Sequence, residues 1–151
     1  MGLPLVEQNT AVPRVCLIIT AWNQVAKTVA CLETVFALAY APKALEVVLI
    51  DNGSQPELAI AVKQQFPHLT YMRHEQNRGF AGGYNSGLRY ALTHSFDYIC
   101  LLNNDTLVAP DMLSHLVEAA QAEPSWGVVS AKVYYADDRQ RIWTVGERVS
   151  P

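Results

Sequence analysis

Runs of apolar residues divide the chain at regular intervals. Three runs rich in Val, Ile and Leu end in polar turn residues, and they occupy residues 15–20, 46–50 and 98–102. Continuous apolar runs of this length are typical of strands that are buried on both faces. The pattern therefore predicts three central strands. Shorter or weaker runs predict three more, at 69–72, 128–133 and 142–145.

Helical periodicity occupies the intervals between these runs. Apolar residues recur three or four positions apart in four segments, which predicts one buried face of a helix in each. The segments contain Val25, Val29, Leu32 and Phe36 before Pro42; Leu58, Val62 and Phe66 after Pro56; Leu88, Ala91 and Leu92 after a glycine-rich stretch; and Leu113, Leu116, Val117 and Ala120 after Pro110 and Asp111. Alternating strands and helices predict an α/β fold, with a mostly parallel sheet and helices on both faces.

Length and charge narrow the functional classes. The 151 residues are enough for one domain with its own core. A net charge of −3 and a pI near 5.7 leave no basic excess, which argues against a nucleic-acid binder. The three cysteines form no Cys-x-x-Cys pair, and the four histidines are too far apart in sequence for a local zinc site.

Sequence signals also bear on organisation and location. Residues 1–13 contain two prolines and predict an irregular leader, so the domain is expected to occupy residues 14–151. No apolar stretch approaches the length of about 18 residues that a membrane span requires, and the start of the chain lacks a secretory signal pattern. We therefore expect the protein to be cytoplasmic, either free or bound peripherally at the inner face of the membrane.

Polar residues follow three of the predicted strands. They occupy positions 20–23, 51–54 and 103–105. In open α/β sheets, ligands bind beyond the carboxyl ends of the strands. Taken one at a time, each cluster is equally compatible with an ordinary turn.

The glycine-rich stretch at 77–87 has two interpretations. It is not a phosphate-binding P-loop, because Leu88 and Arg89 stand where Lys and Ser or Thr belong, and it does not follow the first strand as a dinucleotide fingerprint does. It is either a tight turn that lets a helix pack close to the sheet, or a loop whose amides approach a phosphate or a sugar while Arg78 supplies charge.

The order of the motifs resembles a known family. The motif segments at 19–23, 31–34, 48–54, 77–87 and 101–106 together resemble the amino-terminal half of family 2 glycosyltransferases, and most of all their rhamnosyltransferase-like branch. The resemblance covers residues 14–146. It implies a GT-A fold, which is Rossmann-like, and a nucleotide-diphosphate sugar donor linked to UDP or dTDP.

The resemblance also implies a set of nucleotide-sugar-binding residues. Ala21 and Trp22 would lie beside the nucleobase, and Asp51 would accept a hydrogen bond from the pyrimidine N3–H. Asn104 would lie near the ribose. Asn23, after the first strand, is also an implied donor-site residue. The residues that would line the donor pocket are Asn77, Arg78 and Gly79, and those that would hold the glycine-rich stretch and the start of its helix against the pocket are Gly82, Gly83 and Asn85.

A single acid matches the metal-binding position of the family. Asp105 is the expected ligand of Mg²⁺ or Mn²⁺, because the preceding two residues are asparagines. A divalent ion at this place would stabilise the negative charge that develops on the leaving diphosphate. Such ions commonly bind one or two carboxylates together with substrate phosphates and water.

The resemblance further implies an inverting reaction, with a carboxylate base that deprotonates the hydroxyl of a glycan or lipid-linked acceptor. In the family this base lies in an acceptor-binding half, which we expect beyond Pro151. Asp137, Asp138 and Glu147 are better explained as a solvated turn. The chain is therefore expected to bind the donor, to be inactive alone and to self-associate through exposed apolar surface. The alternative is a non-catalytic nucleotide-sugar-binding module.

Overall fold

The structure, a computed structural model, describes residues 11–146, so most of the expected leader at 1–13, as well as Glu147, lies outside the described residues. Its main sheet has four parallel strands in the order β3-β2-β1-β4. These strands are β1 (Val15–Ala21), β2 (Leu45–Asp51), β3 (Thr70–Arg73) and β4 (Tyr98–Asn103). The predicted parallel α/β sheet is confirmed.

Four helices connect and cover these strands. They are α1 (Val25–Phe36), α2 (Ala59–Val62), α3 (Gly79–Leu92) and α4 (Met112–Ala122). A two-stranded antiparallel sheet follows, formed by β5 (Val133–Tyr134) and β6 (Ile142–Thr144). None of the helices in the described range is long and apolar enough to cross a membrane.

The alternation of side chains along β1 builds the core on both faces of the sheet. Leu17 and Ile19 are buried against α1 and α2, whereas Cys16 and Ile18 are buried against α3. Val15 packs against α4 on the same face as α1. Because β1 is central and covered on both sides, its apolar run is continuous, as expected for a parallel strand.

Three predicted elements differ from the structure. The helix expected from Pro56 is reduced to the four residues of α2, because the amides of Ser54 and Leu58 are bonded to the Asp51 carboxylate and residues 54–58 fold around it. The strand expected at 128–133 is limited to its last residue. Val128 is 87% exposed and, within the described part of the chain, none of the residues at 128–133 is fully buried, so burial contributes little to holding this run in a strand.

The third difference concerns the glycine-rich stretch. It was expected to precede its helix as a turn or loop, but α3 begins at Gly79 and contains most of the stretch. A Cβ atom on Gly83 or Gly87 would come closer than 3.0 Å to Thr20 or Ile18 of β1, respectively. The glycines therefore allow this helix to lie directly on the central strand.

Candidate functional site

The predicted convergence of polar residues is present at one edge of the sheet. Strands β2, β1 and β4 are neighbours, and their register pairs Ala21 with Asp51 and Thr20 with Asn103. The residues that follow these strands therefore emerge side by side. The start of α3 lies at the same edge, because the side-chain amide of Asn52 contacts Asn77 and Gly79.

The end of β1 combines an exposed indole with a structural asparagine. Ala21 is buried, whereas Trp22 is 53% exposed. Asn23 adopts a left-handed conformation with φ 57°. Its backbone N–H donates to the hydroxyl of Ser54 at 2.8 Å, and its side-chain oxygen accepts from the N–H of Gln55 at 2.9 Å. Asn23 thus joins the ends of β1 and β2, and Trp22 offers the accessible surface.

The Asp51 carboxylate is fully buried at the end of β2. Its Oδ2 accepts from the Tyr71 hydroxyl at 2.6 Å, from the Arg73 guanidinium at 2.6 Å and from the amide of Leu58 at 3.3 Å. Its Oδ1 accepts from the amide of Ser54 at 2.8 Å. Asp51 therefore organises the chain after β2 and links it to the end of β3.

Hydrogen bonding decides the ionisation of this group. Burial by itself would raise the pKa of Asp51, but the hydrogen bonds from Ser54, Tyr71 and Leu58 outweigh it and lower the pKa below its ordinary value. Burial and the bond to Asp51 raise the pKa of Tyr71, so its phenol remains a donor. At neutral pH the site therefore holds a negative charge beside the positive charge of Arg73.

Asn52 lies within one of the family motifs, but no role was predicted for it. It is buried, and its Nδ2 donates to Asn77 Oδ1 at 2.9 Å and to the carbonyl of Gly79 at 3.0 Å. Its Oδ1 accepts from the amide of Arg78 at 3.0 Å and from His74 at 2.9 Å. Its position directly after Asp51 at a strand end was the available signal, but its partners are distant in sequence.

The turn at 77–79 presents two of the predicted donor-site residues to solvent. Asn77 and Arg78 are exposed, and Asn77 Oδ1 accepts the amide of Gly79 at 2.7 Å. Gly79 has φ 73°, and apart from its chain neighbours no atom of the described residues lies within 4 Å of where its Cβ would be. This turn is therefore open to a ligand.

Three other predicted residues of this stretch lie within α3. Gly83 is buried against β1, and the missing Cβ of Gly82 would meet the Arg78 side chain at 2.7 Å. Asn85, in contrast, is on the exposed side of the helix, away from the buried side that includes Gly83. Gly82 and Gly83 thus lie on the packed part of the first helical turns, and Asn85 presents its side chain to solvent; the donor-site role of all three stays a prediction.

The end of β4 carries two engaged amides and one exposed acid. Asn103 Oδ1 lies 3.1 Å from the Tyr84 hydroxyl, and Asn104 Nδ2 donates to the buried hydroxyl of Thr28 in α1 at 2.9 Å. Asp105 is exposed, and it forms no hydrogen bond or ion pair with any other residue of 11–146. Asn104 is thus an anchor to α1, while the carboxylate of Asp105 is accessible.

This arrangement fits a metal ion that is shared with a substrate. Among residues 11–146 there is no group of three or more His, Cys, Asp or Glu side chains that could hold a metal by itself. A single accessible carboxylate suits Mg²⁺ or Mn²⁺ when phosphate oxygens and water complete the coordination. Asp105 is therefore the one predicted metal ligand, and oxygens of a bound ligand and of water would have to complete the coordination.

The parallel sheet, the helices on both faces and the cluster at the carboxyl ends of the strands define an α/β protein of the GT-A, Rossmann-like class. Residues 16–149 match Glycosyl transferase family 2, and the chain belongs to this family. The family resemblance expected from the motifs is confirmed at this level. Its rhamnosyltransferase-like branch stays a prediction.

Two curated relatives illustrate the sequence similarity. The chain is 27% identical over 139 residues to the beta-monoglucosyldiacylglycerol synthase of Synechocystis sp., covering 89% of this chain and 28% of that protein. It is 31% identical over 102 residues to the poly-beta-1,6-N-acetyl-D-glucosamine synthase of Staphylococcus aureus, covering 66% of this chain and 23% of that protein. The chain thus spans less than a third of the length of either relative.

Solved structures agree with the fold. The mannosyltransferase PcManGT from Pyrobaculum calidifontis, in complex with GDP-Man and Mn²⁺, superimposes with a TM-score of 0.68 at 24% identity, covering 87% of this chain and 38% of that one. S. aureus TarS 1-349 in complex with UDP-GlcNAc gives a TM-score of 0.64 at 13% identity, covering 83% of this chain and 42% of that one.

Proposed function

We propose that this chain binds a nucleotide-diphosphate sugar at the carboxyl ends of β2, β1 and β4, as the donor-binding part of an inverting glycosyltransferase. The observation that carries the proposal is the grouping of Trp22, the open turn at 77–79 and the exposed Asp105 at one edge of the sheet. Together they offer a stacking surface, a cationic turn and a metal ligand. These match the base, the diphosphate and its ion.

Each part of the donor has a proposed place. The nucleobase lies against Trp22. Its N3–H would reach Asp51 Oδ1, which accepts one bond where Oδ2 accepts three, only after the segment that follows β2 opens, because the Asp51 carboxylate is fully buried. Arg78 faces the diphosphate. Asp105 would hold Mg²⁺ or Mn²⁺, and the ion would supply stabilisation of the leaving diphosphate. Asn104 holds the segment after β4 against α1 through its bond to Thr28, and it would contact the ribose through its remaining polar atoms.

The relatives support this class of substrate. PcManGT was solved with GDP-Man and Mn²⁺, and TarS with UDP-GlcNAc, so proteins of this fold bind nucleotide sugars. We propose a UDP- or dTDP-linked hexose or rhamnose as the donor. The acceptor is proposed to be a glycan or a lipid-linked sugar, since the curated relatives are named as synthases of a polysaccharide and a glycolipid.

A second candidate is a nucleotide-sugar-binding module without catalysis. It is favoured by the single carboxylate at the end of β4, because Asn103 and Asn104 are neutral and already engaged. In this case the nucleotide would bind equally well with and without a divalent ion. The two candidates therefore differ in their dependence on metal.

Calorimetric titration with UDP, dTDP and GDP, with and without Mn²⁺, tests the proposal. We expect affinity for one of them to rise at least tenfold with Mn²⁺, and the Asp105→Ala variant to lose this increase while keeping the metal-free affinity. Asp137→Ala, which removes another exposed carboxylate, is the matched control and should behave as the wild type. Lack of binding to all three nucleotides would refute the proposal, and metal-independent binding would favour the second candidate.

A further inference from the structure

A buried histidine connects the three elements that surround the turn at 77–79. His74 follows β3 directly and is only 8% exposed. One ring nitrogen, Nδ1, lies 2.9 Å from Asn52 Oδ1 at the end of β2, and the other, Nε2, lies 2.8 Å from Ser86 Oγ in α3. The imidazole thus bridges a strand end and the glycine-rich helix, although no ligand role was expected for it.

The hydrogen bonds around Asn52 determine which nitrogen of His74 carries the proton. Asn52 Nδ2 faces two acceptors, Asn77 Oδ1 and the carbonyl of Gly79, so the opposite atom of this amide is the oxygen. An amide oxygen can only accept, and His74 Nδ1 must therefore carry a hydrogen and donate it. Nε2 is then left to accept the hydroxyl hydrogen of Ser86.

The electrostatic surroundings agree with a neutral ring. Burial lowers the pKa of His74, and the nearby charges of Arg78 and Arg89 lower it further, while Asp51 acts weakly in the opposite direction. His74 therefore serves as a fixed donor to Asn52 rather than as a charged group.

Asn52 in turn fixes the backbone of the turn. Its side chain uses both N–H donors and two acceptor positions, and three of its four partners are Asn77, Arg78 and Gly79. The fourth partner is His74. If the Asn52 amide were rotated, its NH₂ group would face the N–H groups of Arg78 and His74, and its oxygen would face the oxygens of Asn77 and Gly79. Of these four partners, His74 is the one that lies outside the turn.

We propose that His74 is a positioning residue of the nucleotide-sugar site: its Nδ1–H fixes the orientation of the Asn52 amide, and Asn52 holds the turn that presents Arg78 and Gly79 to the donor. The assignment of the turn to a donor rests on the proposed function. The mechanical link from His74 through Asn52 to the turn does not. The two can therefore be tested separately.

The variants separate the two sides of the ring. His74→Leu removes both hydrogen bonds, His74→Asn keeps a donor near the position of Nδ1, and Ser86→Ala removes only the partner of Nε2. His74→Gln, which keeps a polar group near the position of Nε2, replaces the leucine variant if that one fails to fold. If the link to Asn52 is what matters, the asparagine variant and Ser86→Ala should resemble the wild type.

Amide hydrogen exchange in the ligand-free protein measures the mechanical link. We expect the amide of Arg78 to exchange about tenfold faster in His74→Leu or His74→Gln and to recover in His74→Asn, because its acceptor Asn52 Oδ1 loses its second partner. The amide of Ile18 in the core of β1 is the control for general destabilisation. Unchanged exchange at Arg78, or a change only at Ile18, would overturn the proposal.

Nucleotide affinity measures the consequence for the site. With the nucleotide that the wild type binds best, His74→Leu or His74→Gln should bind about tenfold more weakly, with His74→Asn and Ser86→Ala close to the wild type. Faster exchange at Arg78 with unchanged affinity would overturn the positioning role. Failure of the wild type to bind any nucleotide would instead refute the proposed function and leave the exchange result to decide the link.

Discussion

Replacement of Asp51 by asparagine tests how the strand end is held together. The carboxylate is fully buried and accepts four hydrogen bonds, one of them from a guanidinium. An asparagine can keep one oxygen in place, but its NH₂ group would face either the Ser54 amide or the donors that converge on Oδ2. Arg73 would lose its anionic partner in the same step.

The magnitude follows from burial. Breaking a buried ion pair by removing one partner costs about 3–5 kcal/mol. Because the Arg73 side chain is 26% exposed and can be partly solvated, we expect the lower end, about 3 kcal/mol at neutral pH. With a urea m-value of about 2 kcal/mol/M, the midpoint of unfolding should fall by about 1.5 M. Asp137→Asn, at an exposed carboxylate, should change it little.

The pH dependence provides a second readout of the same interaction. The pKa of Asp51 is lowered in the fold, so its stabilisation is complete above the ordinary value of 3.8 and is lost as the pH falls through the folded-state pKa. The difference between wild type and Asp51→Asn should therefore be constant from about pH 5 to pH 8 and shrink below about pH 4. A midpoint equal to that of the wild type at pH 7, or a difference that does not shrink in acid, would refute this account of the site.

Two further predictions concern the helix contact and the exposed indole. Gly87→Ala should destabilise the protein by about 1–2 kcal/mol in urea unfolding, because overpacking against Ile18 exceeds the gain of about 1 kcal/mol in helix propensity. The control is Gly127→Ala, which should be close to neutral because no described atom lies near its Cβ position. A stabilised Gly87 variant would contradict the packing argument. Nucleotide addition should change the tryptophan fluorescence, and Trp22→Phe should abolish that change although two other tryptophans remain; a change that persists in the variant would remove Trp22 from the site.

The site was predictable from sequence to the extent that it depends on strand ends. The runs that end at Ala21, Asp51 and Asn103 are buried strands in one parallel sheet, so their following residues had to meet at one edge. This geometry requires only the strand assignment and the right-handed connections between strands. The placement of Trp22 and Asp105 at that edge follows directly.

The interior of the site could not be read in the same way. Asp51 was expected to offer its carboxylate to a base, but three of its four donors come from Tyr71, Arg73 and Leu58, whose side-chain or backbone directions depend on the packing of β3 and of the segment before α2. His74 bridges Asn52, which lies 22 positions before it in the sequence, and Ser86, which lies 12 positions after it. No local pattern encodes such a bridge, because each of its members is an ordinary polar residue in sequence.

The glycine-rich stretch shows why local propensity failed at α3. The 14 residues of α3 contain four glycines, and each interior glycine costs about 1 kcal/mol relative to alanine, so the sequence alone favoured a loop. Gly83 and Gly87 are nevertheless helical, because a side chain at either position would collide with β1, and packing against that strand stabilises the helix. Close packing therefore accounts for these two glycines without a ligand. Gly79 differs from them, since its φ of 73° forms the turn at the first residue of the helix and no other part of residues 11–146 lies within 4 Å of its Cβ position. Of the two interpretations of the stretch, helix packing thus applies to Gly83 and Gly87, and approach of a ligand to the backbone is feasible at Gly79.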